Sequence, residues 1–436
     1  MMEQATFPRY DQYKSTDVKW LGDIPEHWSI GKIRAVTVLK SKKNQPDLPV
    51  LSVYRDYGVI LKDSRDDNHN ATSLDTSNYK VVDVGDLVVN KMKAWQGSMG
   101  ISQYHGIVSP AYITCTVDTE RVFPKFLHYL LRSQPYIGVY NALSYGVRVG
   151  QWDMHYEDFK HIPLPIPSRE EQQRIGNFLD RKTAEIDEAI AKKQRLIELL
   201  KEQKAILINQ AVTKGLNPDA PMRDSGVEWI GKVPEHWSTS RIGFVAEVGN
   251  GSTPNRGTPG YWYNGDIPWL NSSKVNDGVI TEADQFVTKR AMKECHLPTV
   301  SPGSIVVAIT GEGKTRGMAA LCQLNATINQ HLAYIRIRDE RLVPEYLVLY
   351  LQGMYDWLRY ESSSNGSTKG AITCSDIKKY MLPLPPVQEQ QEIVIHVERW
   401  TREWADLMEK TGTGILQLEE FKTVIVAQAV TGKIKL

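Results

Sequence analysis

The sequence predicts a mixed α/β (α+β) protein: two pseudo-repeated domains separated by two long helices that pack as an antiparallel coiled coil. Three observations carry this reading. The 436-residue chain is too long for one ordinary core, at about 150 residues per domain. Distinctive strings occur twice at nearly constant spacing. Two long proline-free segments carry apolar residues in the same heptad register.

The repeat begins near the N-terminus, where WLGDIPEHW at 20–28 returns as WIGKVPEHW at 229–237. Both copies then run through a long irregular middle in which only an outline persists. VGDLVV at 84–89 resembles PGSIVV at 302–307, and FPKFLHYLL at 123–131 resembles VPEYLVLYL at 343–351. Each copy closes on a proline-rich joint, LPIPSREEQQRI at 164–175 and LPLPPVQEQQEI at 382–393, and ends in QAVT at 210–213 and 428–431. A repeat that keeps its ends and changes its middle suggests related modules presenting different surfaces. The boundaries that follow are 1–165 and 216–385 for the two domains, with 166–215 and 386–436 for the helices.

Ser168 before Glu170 and Glu171 offers an N-cap with an acidic first turn, and Gly215 a stop. Between them, Ile175, Leu179, Ile186, Ile190, Ile197, Leu200, Leu207 and Ala211 recur in steps of three, four and seven. The second copy places Ile393, Val397, Trp404, Met408, Ile415, Leu418, Ile425 and Ala429 at the matching positions. A lone helix with one apolar stripe has nowhere to bury it, so the two seams are expected to face each other. Gly412 and Gly414 each cost roughly 1 kcal/mol in a helix interior, which predicts a kink or local break there.

Composition removes several classes of function. Lys+Arg number 52 against 51 Asp+Glu, so no whole-chain charge marks a free-standing polyanion binder. The four cysteines lie far apart with no Cys-x-x-Cys, which excludes a disulfide framework and a zinc ribbon. No apolar signal core or run of ~18 apolar residues is present, so no membrane is expected and the cytoplasm is the default location.

Catalytic patterns are also missing. AITGEGKT at 308–315 satisfies a relaxed phosphate-loop pattern, with Lys314 for phosphate and Thr315 for magnesium. The glycine and β-branched residues after it argue against the helix such a loop needs, and the first copy has no equivalent. His-Glu-x-x-His, Gly-x-Ser-x-Gly, an aromatic amine-methylation string and nuclease spacing are absent. His27 and His236 each adjoin a tryptophan and suit an anchoring turn better than a metal site. No catalytic residue and no metal ligand is assigned.

Duplicated modules that each close in LP-x-P-x-x-x-EQ or a near variant, followed by a long helix ending in QAVT, resemble the specificity subunit of type I restriction–modification systems. The resemblance covers essentially the whole chain through the Trp-x-Gly-x-x-Pro-Glu-His-Trp motifs, the joints at Pro165 and Pro383, and Glu171-Gln172 and Glu389-Gln390. It implies a non-enzymatic protein whose two target recognition domains each read half of a bipartite, asymmetric sequence in double-stranded DNA. The helices would set the spacer and recruit methyltransferase and motor–nuclease subunits. S-adenosylmethionine, ATP and Mg are then expected only on those partners, with no cofactor in this chain. Two readers on one frame would touch DNA about one helical turn, ~34–36 Å, apart. The rival readings are a P-loop nucleotide hydrolase or nuclease subunit of the same defence machinery, whose ATP turnover Lys314→Ala would abolish, and a tandem adaptor indifferent to DNA sequence.

Base readout needs Arg, Lys, Asn or Gln at base edges, with phosphate contacts fixing register. In the first module Lys91, Lys93 and Gln96 follow a predicted strand, and Arg148 and Gln151 lie in a glycine-flanked string. The second module offers Asn250, Ser252, Thr253, Lys274, Lys314, Arg316, Thr368 and Lys369. The pairs Lys91/Lys93 and Lys314/Arg316 stand at comparable positions in the two copies. Trp20, Trp28, Trp229 and Trp237 suit core anchors, whereas Trp262 and Trp269 are open to either role.

Overall fold

A computed structural model describes residues 7–65, 72–73, 75–146, 152–311, 313–364 and 370–436. The chain divides into two compact units, one of residues through Gln194 with Gly412–Leu436 and the other of Arg195–Thr411. Both divisions fall inside a long helix, so each unit holds one globular module and part of both helices.

In the first unit the central sheet is antiparallel, in the order Thr37–Lys40, Tyr112–Val117, Leu87–Asn90 and Met99–Ile101. The buried run Leu87, Val88 and Val89 explains its central position, because a strand covered on both faces cannot alternate with polar residues. Helices Pro124–Arg132 and Gln134–Leu143 add Phe126, Leu130, Tyr136 and Tyr140 to the core. The proline-rich joint is itself a strand, Pro163–Ile166, antiparallel to Ser29–Lys32 just after the first tryptophan motif. A two-stranded ladder tolerates prolines that a central strand would not.

The second unit repeats this plan. Its sheet runs Ala246–Asn250, Leu332–Ile337, Ser304–Ala308 and Ala319–Cys322, all antiparallel, with Val279–Ile280 added in parallel at the edge. Helices Pro344–Gly353 and Tyr355–Ser364 follow, and Met381–Leu384 pairs with Ser238–Arg241 as the closing joint. The repeat seen in the sequence is therefore a repeat of topology.

The long helices run Arg169–Lys214 and Val387–Val430. Within the first unit Lys422 reaches Asp187 at 2.6 Å, while Gly414 abuts the side chain of Lys193, so the segments lie side by side and antiparallel. Within the second unit Lys204 and Ile208 line one groove with Val397, Thr401 and Ala405. A Cβ at Gly215, just past the end of the first helix, would stand 3.3 Å from Glu389 Oε1 at the start of the second, so these segments also run antiparallel. None of the predicted seam residues is exposed. The expected break at Gly412 and Gly414 does not occur, since the helix continues through both. Buried Leu418 and half-buried Ile415 lie just beyond, and a Cβ at Gly414 would stand 3.0 Å from Lys193 Nζ. Burial of the neighbouring seam residues outweighs a propensity cost of about 1 kcal/mol per glycine.

The repeated QAVT string is where each helix ends in a core. Ala429 and Val430 join the cluster that holds Trp28, as Ala211 and Val212 join that of Trp237. Thr213 and Thr431 turn their hydroxyls back onto the carbonyls of Asn209 and Ala427, both at 2.7 Å. Gly432 then adopts φ +72, and a Cβ there would fall 2.4 Å from Pro25 Cδ, so only glycine ends the helix against this motif.

Candidate nucleic-acid interface

The two repeated strings beside the prolines prove to be fastenings rather than reactive groups. Gln172, buried at the start of its helix, accepts from the Phe123 amide at 2.7 Å and donates to the carbonyls of Arg121 and Pro167. Gln390 accepts from the Val343 amide at 2.9 Å and donates to the carbonyls of Arg341 and Pro385. His27 and His236 hydrogen-bond Glu171 and Glu389 at 3.0 and 2.8 Å. Trp20 packs edge-on to Tyr136 and Trp229 stacks on Trp357, in keeping with core anchors. No group of histidine, cysteine or acidic side chains suited to a metal ion occurs among the described residues.

The exposed polar chemistry gathers where the central strands end. In the first unit Asn90 lies opposite Tyr112 in the sheet, and the chain passes directly into the tight helical segment Lys91–Gln96. Gly97 closes it at φ +86, with Ile137 too near for any side chain there. Lys93 is exposed and has no side-chain partner among the described residues. Lys91 stands 3.8 Å from Asp153, and Gln96 is half-buried. The Trp95 ring meets Trp152 edge-on, which steadies the segment. Lys80 reaches the Tyr112 carbonyl at 2.5 Å. Burial, and then the charges of Lys91 and Lys43, hold its ammonium below the usual lysine range. Lys43 and Lys80 thus belong to the cation cluster, although no glycine-flanked string marks them. Arg148 and Gln151 lie outside the described residues.

At the equivalent end of the second unit, Asn250 is exposed at the terminus of its strand and Lys314 is exposed on a loop. The Tyr355 hydroxyl binds the Lys314 carbonyl at 2.5 Å and Arg359 the Gly313 carbonyl at 2.7 Å. The chain then enters Ala319–Cys322, antiparallel to Ser304–Ala308, so this is a hairpin without the helix N-terminus that a phosphate loop requires. Ser252 is pinned by its amide to the Ile328 carbonyl, and its own carbonyl accepts from the Trp269 indole at 3.2 Å. Thr253 donates to Gln330, Gln330 contacts His331 at 3.1 Å, and His331 contacts Thr310 at 2.6 Å. Beside them the Arg256 guanidinium lies 3.9 Å from the Trp262 ring centre and 4.9 Å from that of Trp269.

Two expected contacts are corrected. Lys274 is buried and spends its ammonium on Asp277 at 2.6 Å and Asp284 at 3.8 Å. Arg316 is only 6% exposed, donating at 2.8 Å to the Gly370 carbonyl and to the Ser363 hydroxyl. Neither is available to a base edge. Thr368 and Lys369 lie outside the described residues. Gln330, His331, Thr310 and Arg256 were not anticipated from sequence.

The two units thus carry different polar strand ends on a repeated frame. The type I restriction modification DNA specificity domain matches residues 18–199 and 234–416, and the chain belongs to that family. The EcoKI specificity subunit of Escherichia coli is 22% identical over 95% of this chain and 90% of its own. A chain from a type I R-M system solved in a study of complex assembly and conformational transition superposes with TM-score 0.72 at 18% identity, covering 93% of this chain and 98% of that one. The HsdS subunit of Thermoanaerobacter tengcongensis gives TM-score 0.57 at 18% identity, over 94% and 98%. The protein is thus a type I specificity subunit with DNA-recognition domains, and its role is recognition rather than catalysis.

Proposed function

We propose that the chain reads a bipartite, asymmetric target in double-stranded DNA, one half through each unit. The paired helices, wound as a coiled coil, would set the length of the unread spacer. The observation that carries this is the contrast at matching strand ends. Lysines crowd one, while the other presents a hydrogen-bonded Thr253–Gln330–His331 chain beside an arginine stacked on tryptophans. Equal frames with unequal tips suit two unrelated half-sites. Methyltransferase and motor–nuclease subunits then assemble on this chain in the cytoplasm, carrying S-adenosylmethionine, ATP and Mg. No helix is long and apolar enough to cross a membrane among the described residues.

The test lengthens the central helix by one heptad, in complex with the modification subunit, and maps methylated positions across a genome. The expected result is a changed spacer with both half-sites intact. Altered half-sites would reject the ruler, and methylation without any sequence preference would favour a tandem adaptor.

A further inference from the structure

We infer that Gln330 is the adenine-reading side chain of the second unit, a specificity role that deepens the proposed DNA-reading function and rests on it. The residue is exposed in the turn that leads into the central strand Leu332–Ile337. Its amide is already oriented from both sides, by the Thr253 hydroxyl and by the His331 ring at 3.1 Å. Each neighbour takes one hydrogen-bonding position. An amide has two N–H donors and two acceptor lone pairs, so one donor and one acceptor of the same amide remain unused. This count is the same whichever way the amide is turned. A free donor with a free acceptor on one amide is the complement of adenine N7 and N6–H in the major groove, the pairing that glutamine makes bidentately.

The supports are themselves held in place. His331 is held in turn by Thr310 at 2.6 Å, and its backbone amide by the Asn329 side chain at 3.0 Å. Thr253 sits on a loop whose Gly251 has no room for a side chain, since a Cβ would lie 2.0 Å from the Ile328 carbonyl oxygen. Trp269 and Trp262 anchor the carbonyls of Ser252 and Asn255 on either side of it. An amide fixed before binding loses little freedom on contact, which is what converts a hydrogen bond into discrimination. Thr253 and His331 are positioning residues in this arrangement.

The test uses the full chain assembled with its modification subunit and reads the methylated consensus from genomic DNA. Gln330→Ala should remove one A·T requirement from one half-site while the other half-site and the spacer stay as they are. Affinity for the original site should fall roughly 10- to 100-fold, with discrimination at that base pair lost. Thr253→Val should relax the same base pair less strongly. The unfolding midpoint should stay put in Gln330→Ala, since Gln330 is exposed. A uniform loss across all sequences, relaxation at a G·C pair, relaxation in the half-site governed by the first unit, or an unaltered consensus would each overturn the inference. If the unaltered complex had no sequence-defined target, the failure would lie with the proposed function instead.

Discussion

Glu171 and Glu389 occupy the same place in the two units but keep different company. Glu389 takes hydrogen bonds from His236 and from the Trp237 indole, at 2.8 and 3.0 Å. Glu171 takes His27 and the Tyr10 hydroxyl, while the Trp28 indole N–H is buried without a partner among the described residues. Burial and the adjoining Glu171 carboxylate push the Tyr10 hydroxyl well above its usual range, so it remains a donor. The neighbouring glutamines, in contrast, make the same three backbone bonds in both units. A carboxylate accepts from any donor that comes near, so its partners can change. A glutamine that serves a backbone amide and two carbonyls has no such freedom. The frame repeats where the main chain must be satisfied and varies where only side chains meet.

The largest effect should come from the shared fastening. Gln172→Ala or Gln390→Ala leaves a backbone N–H and two carbonyls without their partner, at a cost on the order of 3 kcal/mol each. Urea unfolding should show similar losses for the two, and a difference of more than half would mean the frames are not equivalent. Trp237→Phe should cost about 2 kcal/mol more than Trp28→Phe, because only the first breaks a bond to a carboxylate. Equal losses in paired unfolding curves would remove the distinction drawn between the two glutamates. The smallest effects concern the strand ends. Lys43→Gln and Lys93→Gln should each lower the slope of log affinity against log salt by about 0.9, on every sequence alike. Gln330→Ala should leave that slope unchanged.

The parts of the fold legible in the sequence are those governed by local spacing. Tryptophan motifs, proline-rich joints and the heptad seam each involve residues close together in the chain, and their physics survives without knowledge of the tertiary structure. The strand ends were harder to read. Lys274 and Arg316 stand in glycine- and serine-rich strings that look exposed, yet distant acids and carbonyls draw both inward. Gln330 lies in an ordinary connection between strands, and its partner Thr253 is remote in sequence. Which cation stays free, and which amide is held from two sides, depends on contacts that no short pattern encodes. Gly412 and Gly414 teach the same lesson, since helix propensity alone predicted a break that packing removes.

The central claim is that the two units read DNA independently from a common frame. The most direct measurement replaces residues 33–162 with the matching segment of another specificity subunit and maps the methylated sequence in the assembled complex. One half of the target should change while the other half and the spacer persist. A change in both halves, or in neither, would contradict the account.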